Sequence, residues 1–355
     1  MTTPPAPRAA LPRGLTVLLA AAAVVVVIAG LKAASWFVGP VLLALVIVIA
    51  VSPVQSWARR HNWPGWLSTL LLLLVVYGII VALILTIIVS AARLVSLFPQ
   101  YSSQASALFR EAMATLERFG VDRDAAAKTV GSLDPAKLGG LVSSLLSGVT
   151  SVLANLVFLL ALLLFLSAEA SGLPARLAEI ATDRRPVVAA LHDFAHGTRR
   201  YLVITTVFGF IVAVFDTIGL ALLGVPVAVL WGVLSFITNY IPNVGFILGL
   251  IPPALLGLLS GGWPLMLEVI ALYSVLNLVI QSLIQPRFVG TGVGLSATVT
   301  FLALIFWAWV LGGLGALLAI PMTLLVKALL VDTDPRANWV TALVRSAQPD
   351  SAPKR

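Results

Sequence analysis

One carboxylate, Asp216, stands inside an apolar run from Tyr201 to Leu223, and between 201 and 326 its only charged company is Glu268 and Arg287. Holding a carboxylate mid-helix in lipid costs about 2.5–3.5 kcal/mol on insertion scales, so it must face a cavity, a partner or water. At 100° per residue, Thr205, Gly209, Asp216 and Gly219 form one small, polar helix stripe. Such a stripe can hold a proton or a cation, or touch a polar substrate. It can equally be a structural carboxylate paired to a neighbouring helix or lying near an interface. Both readings stand at this point.

A second constellation runs along 265–284. Tyr273, Asn277, Gln281 and Gln285 recur every fourth residue, so they share a helical face, with Glu268 on the opposite side. Amides there can hydrogen-bond a hydroxylated or carbonyl-bearing solute, or can tie helices together at about 0.6 kcal/mol each. A third is the break Asn239-Tyr240-Ile241-Pro242-Asn243, closed by Gly245. Proline stops a helix, and Asn side chains can cap the backbone groups it frees. Broken helices at transporter sites have this chemistry, and a tight loop between two spans has it too. Stretches 245–252 and 315–321 both read Gly, apolar residues, then Ile-Pro, ending at Pro252 and Pro321.

Enzyme-like signals fail on chemical grounds. His192 and His196 share a helical face around Asp193, but a zinc-protease motif needs Glu and a third ligand. Gly290 to Gly294 resembles a phosphate loop but lacks the following Lys-Ser/Thr. There is no Cys, which removes disulfides and thiolate chemistry. The expectation is a non-enzyme with no cofactor and no metal site. With no ATPase motif, transport would draw on gradients.

The elements that must position these groups follow from composition. Of 355 residues, 60% are hydrophobic and 10% charged, against about 45–50% and 25% in soluble domains. With a mean hydropathy of +1.07, lipid must be the solvent for most of the chain. The net charge of +8 comes from 22 Lys and Arg gathered at the ends of apolar runs. That pattern sets membrane orientation and does not suit nucleic acid.

A span takes about 20 apolar residues. Leu15–Leu31 and Trp36–Val51 form a hairpin, followed by Leu67–Ala92. From Leu94 the spacing turns amphipathic, and 93–148 carries six basic and five acidic residues. After a span at Val149–Leu166, Asp183 and Pro186 start a long helix that enters from the interface into Tyr201–Leu223. Shorter apolar pieces follow. They are separated by the Asn239 break, Gly261 to Pro264, Gln285-Pro286-Arg287 and Gly312-Gly313, and read as re-entrant hairpins or tilted spans. The expected fold is an all-α polytopic membrane protein with about eight spans and an extramembranous helical insert. Its parts are N-terminal spans (1–92), the insert (93–148), a fourth span with an Arg-rich juxtamembrane helix (149–200), a transmembrane core (201–331) and a disordered cytoplasmic tail (332–355). Basic loops place both termini in the cytoplasm.

The motifs then carry a resemblance. Phe236 to Gly245, Gln285 to Gly290, Val293 to Ser296, Leu304 to Trp309 and Leu314 to Thr323 resemble, in order and spacing, the bacterial autoinducer-2 exporter (AI-2E) family of PerM-type permeases. Ala297 and Gly313 depart from it, since many relatives have Pro at both places. The resemblance implies a secondary transporter of the inner membrane that exports a small polar solute such as an autoinducer-2-like signal, and a homo-oligomer, pentamer-like. Relatives also imply a sodium (or lithium)/proton antiporter. A passive pore or an oligomeric scaffold is the alternative of another class. On this reading Asp216, Thr205, Asn239, Asn243, Asn277, Gln281 and Gln285 line the solute or ion pathway. Pro242, Gly245, Pro252, Pro286, Gly312 and Pro321 are its breaks and hinges.

Overall fold

The computed structural model describes residues 12–61, 63–118, 156–170, 172–242, 244–285 and 295–333, and among these it is helical with no strand. Lipid offers no hydrogen bonds, so a chain this apolar satisfies its backbone within helices. They are α1 (Arg13–Ala33), α2 (Ser35–Arg60), α3 (Gly65–Arg118), α4 (Leu156–Ala170), α5 (Leu173–Asp183), α6 (Arg185–Leu222), α7 (Ala228–Thr238) and α8 (Gly245–Leu276). A π-helical segment (Asn277–Ile284) continues α8, and α9 (Ala297–Leu311), α10 (Gly313–Leu317) and α11 (Ala319–Leu330) complete the set.

Five helical stretches, 14–33, 35–54, 69–94, 185–222 and 245–284, are long and apolar enough to cross a bilayer. The α4–α5 pair, bent by 56°, would make a sixth. Eight is not reached by this count, because α7, α9 and α11 are short apolar helices. Nor is 245–284 one rod: Gly262 (φ 72°, ψ −164°) folds α8 back on itself. A Cβ on Gly257 would touch Val269 and Leu265, across the fold.

Two stretches expected to be separate are joined. α3 runs unbroken through Arg93, so the change from apolar to amphipathic pattern is not a helix boundary. The backbone ladder is indifferent to which faces are apolar. The rest of the 93–148 insert lies outside the described residues. α6 is one helix from the Arg-rich lead-in to Leu222, with Pro186 in its first turn, where the missing N–H costs nothing.

Packing is organised around α2 and α6. Ala44, Leu72 and Leu163 join α2, α3 and α4. Val46, Trp307, Leu318 and Ala319 join α2 to α9 and α11. Leu220, Trp231, Ala254, Val269 and Tyr273 close α6 against α7 and both arms of α8. At Gly312 (φ 67°, ψ −146°) the chain turns from α9 into α10, a backbone region that side chains other than glycine's resist. Outward faces carry Trp36, Phe165, Phe210 and Leu222, all largely exposed, as a lipid-facing surface requires.

Candidate functional site

Asp216 is fully buried between helices, out of contact with lipid and bulk water. Its Oδ2 accepts a 2.5 Å hydrogen bond from Ser235 Oγ on α7, while its Oδ1 has no partner. No ion pair to Asp216 occurs among the described residues. Asp216 therefore faces a cavity and not a structural counter-charge. The walls of that cavity include Ser235, Thr238, Asn239, Tyr273, Asn277 and Gln281, with Val212, Gly245 and Phe246 completing it. Its free space is about 10 Å³ for the centre of a water-sized sphere, room for about one water or ion of similar size.

The break after α7 is pinned to α6 and to the π segment. Asn239 Nδ2 donates to the Thr205 carbonyl at 3.2 Å, and Gln281 Nε2 donates to Asn239 Oδ1 at 2.6 Å. Tyr201 donates to the Tyr240 carbonyl at 3.0 Å, and the Tyr240 hydroxyl meets Thr206 Oγ1 at 2.6 Å. Gly209 makes this possible: a Cβ there would stand 2.6 Å from Asn239 Nδ2. An i→i+5 segment such as 277–284 is rare and is frequently found at functional sites. Tyr273, Asn277 and Gln281 keep one cavity in common across the change from α to π winding.

A second, larger cleft of about 400 Å³ shares no lining residue with the first, and the Asn239–Thr205 hydrogen bond ties a wall of one to a wall of the other. Thr205, Pro242 and Gln285 line it together with Asp193, His196, Arg200 and Thr300. Arg200 and Asp216 both sit on α6, 16 residues or about 24 Å apart at 1.5 Å per residue. That is most of the roughly 30 Å hydrocarbon core. Vestibule, amide clasp and buried carboxylate thus succeed one another along one helix.

The residues singled out from sequence are distributed as follows. Asp216, Asn239, Asn277, Gln281 and Gly245 share the inner cavity, and Thr205, Gln285 and Pro242 share the vestibule. Pro252 lies inside α8, Gly312 makes the α9–α10 turn, and Pro321 is buried in α11. Asn243 and Pro286 lie outside the described residues, as does the Gly290–Gly294 stretch. Sequence reasoning missed Ser235 and Thr238, although Gly232, Ser235 and Thr238 form a small-residue stripe at three-residue spacing that could have found them. It also set aside Asp193 and His196, which line the vestibule.

Comparison with known proteins agrees with the motifs. Residues 19–333 match the family described as "AI-2E family transporter". The chain is 31% identical over 322 residues to the AI-2 transport protein TqsA of Escherichia coli (strain K12), covering 90% of this chain and 93% of the relative. It is 27% identical over 338 residues to a relative named as a transport protein, YhhT, of the same organism, covering 95% and 96%. A third relative named as a transport protein, from Haemophilus influenzae, is 31% identical over 331 residues, covering 92% and 95%. Matched over residues 19–333 and by relatives along nearly its whole length, the chain belongs to the AI-2E family of membrane transporters.

Proposed function

We propose that the protein is a secondary exporter of a small, neutral, hydroxylated solute from the cytoplasm, of the autoinducer-2 kind carried in the name of its relative TqsA. The observation that carries this reading is the continuity of polar groups from the vestibule through Thr205, Asn239 and Gln281 to Asp216. A vestibule of about 400 Å³ suits a solute of a few heavy atoms to sugar size. Its donors and acceptors, a carboxylate, a guanidinium, an imidazole, an amide and hydroxyls, match a polyol better than a bare ion. Basic residues at the start of α6 support a cytoplasmic vestibule by the positive-inside rule.

The inner cavity is too small for such a solute. Transport therefore requires the Asn239–Gln281 clasp and the α8 arms to part, with the vestibule as the binding position before that step. The relatives compared above are not named for cation exchange, and the antiporter reading is not carried further. Purified protein in proteoliposomes loaded with the solute is the test. A carrier saturates and shows counterflow, whereas a pore does not saturate and a scaffold passes nothing. Linear, unsaturable flux or none at all overturns the reading.

A further inference from the structure

α5 is short and thinly supported. It has 11 residues, and an isolated helix below about 12–15 residues is marginal in water. Such helices persist when an apolar face is packed, yet among the described residues α5 fully buries none of its own. Its pattern is nonetheless two-faced. At about 100° per residue, Leu173, Leu177, Ile180 and Ala181 fall on one side, and Arg176, Glu179, Thr182 and Asp183 on the other. Leu177 and Ala181 are half-buried, while Leu173 and Ile180 stand 48% and 46% exposed.

Position says what covers that side. Tyr77 donates to the Leu156 carbonyl, and with α3 and α4 antiparallel, Ala170 comes level with Trp63 and Trp66 at the start of α3. These two and Trp57 are exposed, as in the aromatic belt at a membrane edge. There the chain bends by 56° into α5 and leaves the axis of the span. At its far end Arg184 closes α5 and opens α6, which re-enters the packed body with Phe194 beside Ile320, Leu324 and Ile49. Both ends of α5 are thus held at the bilayer's edge. The exposed apolar side chains Val157, Leu164 and Phe165 of α4 are taken up again beyond the bend by Leu173 and Ile180, continuing the lipid-facing surface. The polar side has no surplus of positive charge. Arg176 pairs with Glu169, and Glu179 and Asp183 are balanced by Arg184 and Arg185 just beyond. Burial of the apolar face, and not attraction to anionic headgroups, is therefore the force available.

We infer that α5 docks on the lipid surface, with Leu173 and Ile180 seated at the boundary of headgroups and acyl chains, and that this seat holds the lead-in of α6. A single residue, Arg184, joins the two helices and leaves no slack between them. Asp193 and His196 of the vestibule stand on that lead-in. A bilayer that seats α5 less deeply therefore moves a wall of the vestibule. Neither statement depends on what the protein transports.

The chain has no cysteine, so one introduced cysteine carries the only label. Leu173→Cys, Ile180→Cys, Glu179→Cys and Thr182→Cys are each labelled with nitrobenzoxadiazole, and the full chain is placed in phosphatidylcholine nanodiscs. Labels on the apolar side should emit to the blue of those on the polar side. They should lose fluorescence to a nitroxide carried high on the lipid chain and little to aqueous iodide, and the polar pair should do the opposite. This contrast should survive added salt and partial replacement by phosphatidylglycerol. Equal iodide quenching at all four positions overturns the inference, because the face is then in water. Shielding of the apolar pair from both quenchers overturns it too, since protein then covers the face. So does lipid quenching that appears only with phosphatidylglycerol, the mark of a charge-held seat. For the link to the vestibule, a label at His196→Cys should shift its emission when Ile180→Glu is added and not when Thr182→Glu is. An unshifted label, in a background where Leu173→Cys has lost its lipid quenching, overturns that link.

Discussion

Arg199 supplies the hydrogen bonds that Pro53 takes from helix α2. Pro53 has no N–H, so the Ile49 carbonyl, four residues back, lacks its helical donor. Arg199 Nε donates to that carbonyl at 3.3 Å, Ser52 Oγ donates to it at 2.9 Å, and a second Arg199 nitrogen donates to Ser52 Oγ at 2.5 Å. A guanidinium at the mouth of α6 is thereby anchored to a defect in α2, 150 residues away in the chain. The adjacent vestibule inherits a fixed wall.

This relationship predicts a specific non-additivity. Arg199→Ala should destabilise the protein by about 0.5–1.5 kcal/mol, the loss of its bonds to the Ile49 carbonyl and Ser52, since Ser52 Oγ still donates to that carbonyl. Pro53→Ala restores an N–H to residue 53, so in that background the loss should shrink. A double-mutant cycle on thermal unfolding in detergent measures the coupling; a value of zero refutes the account.

The clasp between Asn239 and Gln281 should be separable from overall stability. Asn239→Ala and Gln281→Ala each remove the 2.6 Å bond, at about 0.5–1.5 kcal/mol, and the pair should cost less than the sum. Solute counterflow should change in both variants. Intact counterflow in each would show that the clasp is only a helix tie.

Gly209 should tolerate no side chain. In Gly209→Ala the new methyl group would meet Asn239 Nδ2 at 2.6 Å, displacing the residue that bridges Thr205 and Gln281. Flux should fall well below that of Gly78→Ala, whose methyl group meets nothing within 4 Å. Equal rates for the two variants would sink the idea.

Asp216→Asn keeps shape and the acceptor for Ser235 while removing the charge. Solute counterflow should drop to background while expression and oligomeric elution stay near wild type, since losing an unpaired buried charge is not itself destabilising. Full activity in this variant would take Asp216 out of the mechanism.

Vestibule residues should act on affinity before rate. Gln285→Ala or His196→Ala should raise the solute concentration for half-maximal flux with little change in maximal rate, as expected for groups that bind the solute before the rate-limiting opening. A fall in maximal rate alone would place them elsewhere in the cycle.

Much of this molecule is written in local patterns. Apolar runs and scarce charge dictate helices in lipid because the bilayer leaves the backbone no other partner. Four-residue spacing placed Tyr273, Asn277 and Gln281 on one face, and Pro242 with its Asn neighbours marked a break. What local pattern does not carry is which face meets which. Tyr273 and Asp216 share a cavity only because α8 folds back at Gly262 and α6 and α7 approach closely, and both depend on contacts remote in sequence. The same holds for Arg199, legible as an interfacial charge but not as the donor to Ile49, and for His196, whose helical spacing to His192 suggested a metal and whose neighbours made a vestibule. Periodicity reports the sides of a single helix; the chemistry here arises between helices, where long-range packing decides.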